Sequence, residues 1–154
     1  EKYDLIMELF FFFYQYLEET VIPTLTSKDE LINIVRFCRG FAEYVTLCGT
    51  TRSKLINSMY PNCEKNSREI ECERPLFAEM KAIIIRGQKK GQIDLCLNPD
   101  EVTDMLIVML RGYCFDWARR GGSYDLVEKT VTFAEFFVKN LKPNPLGLYG
   151  LSTH

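Results

Sequence analysis

The sequence is poor in the residues and motifs that most catalytic and metal-binding sites use. Its only histidine is His154, the last of 154 residues. None of the six cysteines forms a C-x-x-C pair, whereas zinc sites need thiolates or imidazoles at short spacing. No G-x-S-x-G, H-E-x-x-H or phosphate-cradling glycine loop occurs. The sequence therefore predicts neither an enzyme nor a metal site, and it indicates no cofactor.

Clustered positive charge and long hydrophobic runs are also missing. The 19 basic and 21 acidic residues give a formal net charge of -2, and basic residues adjoin only at 89–90 and 119–120. Nucleic-acid binding by this chain itself, which requires a basic face, is therefore not predicted. The most apolar run, residues 5–17, contains Glu8 and Gln15 and is too short to span a membrane. No membrane partner is expected.

The positions of the cysteines indicate the compartment. Most of them lie in apolar stretches, where a free cysteine behaves as a small hydrophobic residue. This placement predicts a reducing, cytoplasmic setting. Cys63 and Cys72 are exceptions because they lie in a polar stretch, and a redox role for these two is the alternative.

Hydrophobic residues make up 47% of the chain, and their spacing is helical nearly throughout. The pattern predicts an all-α domain of about five to six helices over residues 1–142, followed by an irregular tail over 143–154. Residues 62–74 are polar and are expected to be a loop or a frayed helix end. The expected helices cover 2–22, Ser27 up to Gly49, 52–59, 76–90, 98–120 and 124–141.

Several of these helices have recognisable start signals. Ser27 followed by Glu30 is a capping-box pattern, in which each side chain binds a free backbone amide of the first turn. Pro75 stands where a first-turn proline belongs. The Asn-Pro-Asp-Glu sequence at 98–101 combines an N-cap, a first-turn proline and two carboxylates near the positive helix end. Ser123 is predicted to cap the last helix.

The helix expected at 98–120 is apolar almost all round, and such a helix must be buried on every side. The short turn at 121–123 makes it the antiparallel neighbour of the last helix. Two copies of this hairpin would form a four-helix bundle across a two-fold axis, which predicts a homodimer. The alternative is that one subunit buries both faces by itself. The residues expected at the dimer interface are Val102, Leu106, Leu110, Leu126, Thr130, Phe133, Ala134, Phe137 and Val138.

Aromatic residues concentrate on the earlier helices, as they do in ligand cavities between helices. Tyrosine hydroxyls and the indole N–H of Trp117 would orient a small hydrophobic or aromatic ligand. The alternative is that the same rings form plain core. The residues expected to line the ligand site are Phe10, Phe13, Tyr14, Phe37, Phe41, Tyr44, Phe77, Met80, Ile84, Met109, Tyr113, Asp116 and Trp117.

Asp116 differs from the other residues of this set because it carries a charge. It shares a helical face with Met105 and Met109. A buried carboxylate at this position would hold a cationic or hydroxylated ligand. The alternative is an ion pair with Arg119 or Arg120 at the end of the helix.

Residues 110–127, LRGYCFDWARRGGSYDLV, resemble the last two helices of TetR-type (tetracycline-repressor-like) transcription regulators. In that family an apolar helix with a mid-helix glycine ends in a short glycine turn, and an amphipathic helix follows near an acidic-Leu pair. GQKKGQI at 87–93, followed by NPDE at 98–101, resembles the family's joint before those helices. EKYDL at 1–5 resembles the start of its linking helix.

The resemblance covers about residues 1–142 and implies the ligand-sensing, dimer-forming domain of a transcription regulator. It also implies a helix-turn-helix before Glu1, through which alone the protein would bind DNA. A small hydrophobic or aromatic effector would favour one spacing of the two DNA-reading helices and so alter DNA binding allosterically. The family consists mostly of repressors.

Three alternatives share the helical fold. A helical interaction module would have a solid core, and a carrier of hydrophobic molecules would have a pocket without a function linked to DNA. An enzyme would have to use carboxylates such as Glu43 or Asp116 for acid–base work, and these are not paired at a characteristic spacing.

Overall fold

The computed structural model describes residues 2–59 and 68–144. Within these ranges the chain is all-α, as predicted, and contains five α-helices and no strand. None of these helices is both long and apolar enough to cross a bilayer. The helices are α1 (Lys2–Tyr16), α2 (Glu30–Met59), α3 (Arg68–Lys89), α4 (Pro99–Arg119) and α5 (Leu126–Val138).

The chain leaves α1 through a wide π-helical turn, Leu17–Val21, and a short 3-10 turn, Ile22–Thr24. Pro23 in the 3-10 turn ends the helical stretch where the sequence predicted. The wide turn buries both Leu17 and Val21. Val21 packs against Gly40 of α2, where a Cβ atom would lie 2.6 Å from Cγ2 of Val21. Only glycine at position 40 allows this close approach.

The capping box predicted at Ser27 is wrong, because α2 begins at Glu30 and is capped by Asp29. The Asp29 carboxylate accepts the backbone N–H of Leu31 at 2.9 Å. Glu30 does not reach back to Ser27. Its side chain, 3% exposed, accepts Lys90 Nζ at 2.7 Å and Arg86 Nε at 3.2 Å from the end of α3. Glu30 therefore binds the end of α3 and does not close a capping box with Ser27.

α2 is the central helix and packs against α3, α4 and α5. It bends at Gly49, whose φ of 83° and ψ of 170° are not helical. The positive φ is open to glycine and strained for other residues. Helical geometry thus stops at Gly49, as the sequence predicted, but it resumes at once. The helix expected at 52–59 is the second arm of α2.

α3 corrects the prediction that Pro75 begins a helix. The helix begins at Arg68 and Pro75 lies inside it. A proline there removes one backbone hydrogen bond, and because Pro75 is exposed, water can replace the missing donor. Of the stretch 62–74 expected to be a loop or a frayed end, 62–67 lie outside the described residues and 68–74 are helical.

α4 and α5 form an antiparallel hairpin. Asn98 caps α4 as predicted, since its Oδ1 accepts the N–H of Asp100 at 2.9 Å. The cap of α5 is Asp125 and not Ser123, and the Asp125 carboxylate accepts the N–H of Glu128 at 3.0 Å. In the turn before this cap, the Tyr124 carbonyl accepts the indole N–H of Trp117 at 3.0 Å.

A large hydrophobic core joins all five helices. It lies between the inner face of the α4–α5 hairpin, α2, α3 and the second half of α1. A smaller cluster at the end of the hairpin contains Trp117 and Leu126. The largest fully buried apolar side chains are Ile34, Phe37, Met80, Ile83, Ile84, Ile93, Leu106, Leu110 and Leu126.

Candidate functional site

Most of the residues predicted to line a ligand site meet in the large core. Phe13, Phe37, Met80 and Ile84 are buried there. Five more are partly buried against the same cluster, so the sequence pattern selected residues that are close in space. These five are Tyr14, Phe41, Tyr44, Phe77 and Met109.

The rings of α1 and α2 form a continuous aromatic cluster. Phe13 contacts Phe41 edge-on, with ring centroids 5.4 Å apart, and contacts Tyr44 at 5.2 Å. Tyr44 also contacts Tyr16 at 5.0 Å. Edge-to-face contacts at these distances are favourable. We call Phe10, Phe13, Tyr14, Tyr16, Phe41 and Tyr44 the aromatic cluster; Phe10 joins it by stacking on Tyr14, with centroids 6.4 Å apart.

Polar atoms without partners occur at one end of the aromatic cluster. The Tyr44 hydroxyl and the Nε and Nη2 atoms of Arg52 are buried, and none of them makes a hydrogen bond of good geometry within the described part of the chain. The Cys48 thiol, a weak acceptor, is the neighbour of the Tyr44 hydroxyl. The Cζ atom of Arg52 lies 6.0 Å from the ring centroid of Phe12. Buried polar groups are nearly always hydrogen-bonded, so three such atoms together are unusual.

Cys48 and Arg52 both act on the ionisation of Tyr44. Burial, followed by the neighbouring Cys48 thiol, raises the pKa of Tyr44 to about 12, while the charge of Arg52 acts in the opposite direction. The hydroxyl therefore keeps its proton at neutral pH and remains a hydrogen-bond donor.

Sequence reasoning missed Arg52 and Tyr16, although both stand at helical spacing from predicted residues. Arg52 lies eight positions after Tyr44, about two turns further along α2, and Tyr16 lies three after Phe13. Extending the stripe of the first helix by one helical step would have included Tyr16, whereas Arg52 lies beyond the helix end predicted at Gly49.

Asp116 forms ion pairs at the end of α4, which is the alternative that the sequence offered. Its Oδ2 atom lies 3.0 Å from Arg120 Nε, and its Oδ1 atom lies 3.4 Å from Arg119 Nη2. The Tyr124 hydroxyl donates a third hydrogen bond at 3.1 Å. These bonds, that of Arg120 first, lower the pKa of Asp116. The carboxylate is thus occupied by the chain itself.

Tyr113 and Trp117 lie with Asp116 at the end of α4. The Trp117 ring is buried in the smaller cluster, and Tyr113 packs against that cluster. The Tyr113 ring contacts Phe133 of α5 with centroids 5.9 Å apart. Neither residue belongs to the aromatic cluster of α1 and α2.

The residues predicted for the dimer interface lie mainly inside the subunit. Seven of the nine are buried within the single chain, and Phe133 and Phe137 are partly buried. The reason is that α2 packs against both α4 and α5 and covers the inner face of the hairpin. These side chains are therefore covered without a second subunit. The seven buried residues are Val102, Leu106, Leu110, Leu126, Thr130, Ala134 and Val138.

The opposite face of the hairpin is apolar and uncovered. Met105, Val108 and Phe115 of α4 and Phe136 of α5 are between 53% and 69% exposed. The three α4 residues follow helical spacing and so share one side of the helix. We call these four residues the outer face. α4 is thus apolar on two sides, as predicted, and the described structure covers only one of them.

An open groove of about 500 Å³ lies beside the outer face. Its walls come from the end of α4, the turn and α5. A lysine reaches across part of it, since Lys129 Nζ lies 5.9 Å from the Tyr124 ring centroid. The aromatic side chains along its walls are Tyr113, Tyr124, Phe133 and Phe136.

The described residues hold no group of three potential metal ligands. Cys38, Cys48, Cys96 and Cys114 are free thiols. Burial raises the pKa of Cys38 and of Cys114 to about 12, so neither is a thiolate at neutral pH. The redox alternative for Cys63 and Cys72 falls on side chains outside the described part.

Comparison of the chain with protein-family models, with curated proteins and with solved structures finds no match. We therefore infer a function from two features of the chain itself: the outer face, and the aromatic cluster with its buried polar atoms that lack partners among the described residues.

Proposed function

We propose that this chain is the effector-sensing and dimerisation domain of a TetR-type transcription regulator, acting as a repressor in the cytoplasm and without catalytic activity. The observation that carries the proposal is the outer face, an apolar surface on the hairpin for which the sequence resemblance implies a subunit contact. Apolar side chains grouped on one side of a hairpin are typical of a protein–protein contact.

The outer face suits a two-fold contact between hairpins. Two such hairpins bring four antiparallel helices together, and each subunit presents the same surface to the other. The exposed ring of Phe136 lines the groove of about 500 Å³, and side chains of a second subunit can pack into this groove. A homodimer formed this way would bury the second apolar side of α4.

The aromatic cluster supports the sensing part of the proposal. The aromatic cluster lies between α1 and α2, so a small hydrophobic or aromatic effector bound there would contact α1. The family resemblance places a helix-turn-helix before Glu1, and movement of α1 would change the spacing of the two DNA-reading units. Ligand and DNA would then be coupled through the same population shift.

The test is the mass in solution of the wild type and of outer-face variants. We expect a wild-type dimer at micromolar concentration by light scattering. Val108→Glu and Phe115→Glu place like charges across the two-fold axis and should give monomers that retain the helical circular dichroism spectrum.

The control for this test is Leu47→Glu, at a residue 77% exposed on α2 and outside the outer face, which should remain dimeric. A monomeric wild type contradicts the proposed dimer. So does a V108E variant that remains a dimer.

A second candidate is a helical interaction module, or a carrier of hydrophobic molecules without a function linked to DNA. The observation that favours the module is the complete burial of Phe37, Met80 and Ile84, which fill the centre of the predicted ligand site. A module without a cavity would give no thermal shift with any aromatic or fatty compound, whereas a sensor or a carrier would.

A further inference from the structure

We infer that Arg52 and Tyr44 form the polar end of the effector site, and that the effector is an organic carboxylate with an apolar body. The inference rests on the proposed sensing function and adds to it a ligand class and an anchoring residue. It starts from the three buried polar atoms that lack partners in the described structure.

The two unpartnered nitrogens of Arg52 form one edge of the guanidinium group. Nε–H and an N–H of Nη2 point the same way, at the spacing of the two oxygens of a carboxylate. An arginine keeps its charge in any protein environment, so removal of this edge from water calls for an anionic acceptor. A carboxylate would satisfy both atoms at once.

The described residues supply no such acceptor to Arg52, although they supply one to other cations. Glu30 accepts Lys90 and Arg86, and Asp116 accepts Arg119 and Arg120. Neither Nε nor Nη2 of Arg52 has a hydrogen-bond partner in the described part of the chain. The missing acceptor therefore has to come from outside the described residues.

The Tyr44 hydroxyl adds a second donor close to Arg52. The two groups lie near enough for the Arg52 charge to act on the pKa of Tyr44, and the hydroxyl stays protonated at neutral pH. Together with the two N–H groups of the guanidinium edge, this phenolic O–H would bring the number of donors available to a carboxylate to three. Charge-assisted hydrogen bonds of this kind are stronger than neutral ones.

The surroundings of these donors fit an apolar ligand body. Phe12 lies under the guanidinium of Arg52, and the Tyr44 ring contacts both Phe13 and Tyr16. An aryl or alkyl chain attached to the carboxylate would extend along the aromatic cluster. A bare inorganic anion would leave these rings unused, so the structure favours a hydrophobic acid.

The test uses two acids of different shape, 4-phenylbutyrate and decanoate, each paired with its neutral alcohol. Binding to the full chain is measured by isothermal titration calorimetry. We expect each acid to bind roughly tenfold or more tightly than its alcohol, because the alcohol lacks the charge. Replacement of the carboxylate by an alcohol should weaken binding to a similar extent for the aryl and the alkyl compound.

Two substitutions of Arg52 distinguish the contribution of its positive charge from that of its paired N–H edge. Arg52→Gln should reduce acid binding by roughly ten- to a hundredfold and leave alcohol binding unchanged. Arg52→Lys keeps the charge without the paired N–H edge and should give an intermediate loss. Arg39→Gln is the matched control, since Arg39 is exposed on the same helix, and it should bind both acids as the wild type does.

Equal binding of acids and alcohols, or acid binding that Arg52→Gln does not weaken, would overturn the inference and leave the sensing function intact. Binding of none of the four probes would overturn it as well. The mass measurement on the outer-face variants then shows separately whether the dimeric part of the proposed function fails.

Discussion

The two arms of α2, before and after Gly49, each contain a buried charged group, and the two groups differ in their hydrogen-bond partners. At its start, Glu30 is 3% exposed and has Asn33, Arg86 and Lys90 as hydrogen-bond donors. Beyond the bend at Gly49, Arg52 has two buried nitrogens and no acceptor for them in the described structure. A charge buried to hold a fold is normally fully paired. We therefore assign Glu30 to the stability of the fold and Arg52 to the ligand site that we propose.

The largest effect is expected from Glu30→Ala. The substitution removes the acceptor for the two cations at the end of α3 and for Asn33, and so loosens the contact between α2 and α3. Because Arg86 and Lys90 are nearly half exposed and can be hydrated, the loss in free energy of unfolding should be roughly 1–3 kcal/mol.

Urea denaturation followed by circular dichroism measures this loss. Glu135→Ala, at an exposed position of α5, should change the free energy of unfolding by less than about 0.5 kcal/mol. An equal change in the free energy of unfolding for the two variants would show that the ion pairs of Glu30 do not stabilise the fold.

A smaller effect is expected from pH. Burial acts to raise the pKa of Glu30, but hydrogen bonds from Asn33, Lys90 and Arg86 outweigh it, and the pKa is lowered. A carboxyl whose folded pKa lies below its unfolded value of about 4.3 stabilises the fold fully above that value. The stabilisation is lost as the pH falls through the folded pKa.

Glu30→Gln isolates this contribution from those of other carboxylates. The difference in free energy of unfolding between wild type and Glu30→Gln should shrink as the pH is lowered from about 6 to about 3. A difference that stays constant over this range would show that the ionised Glu30 does not stabilise the fold.

The smallest effect is expected from Arg52→Gln without ligand. Because the Nε and Nη2 atoms of Arg52 have no hydrogen-bond partner among the described residues, the free energy of unfolding should change by less than about 0.5 kcal/mol or increase slightly. Thermal unfolding of the free protein measures it. A loss comparable to that of Glu30→Ala would make Arg52 a structural residue.

The sequence predicted what depends on neighbours along the chain. The Asn98 cap and the break at Pro23 follow from a few adjacent residues and are confirmed. The charged partners of Glu30, Arg86 and Lys90, lie more than fifty positions away, so a local capping pattern misassigned it. The cap at Asp125 was missed because Ser123, two positions earlier, carries an equivalent local N-cap signal.

The sequence pattern also could not tell which of the two apolar sides of α4 is buried and which is exposed. Helical spacing groups Leu106 with Leu110 and Val108 with Phe115, but both groups are apolar. Which group faces inward is decided by where α2 packs, and the sequence pattern contains no information on that. Most of the aromatic residues that the sequence grouped lie close together because large apolar side chains pack into the same core, although Tyr16 was missed. Arg52 was missed because a charged residue is ordinarily assigned to the surface.

Native mass spectrometry of the protein purified from cells without added ligand tests the central claim most directly, because one spectrum reports both subunit number and bound molecule. We predict the mass of a dimer with a small acid retained in the wild type and lost in Arg52→Gln. A monomer mass with no bound molecule in the wild type would contradict the account.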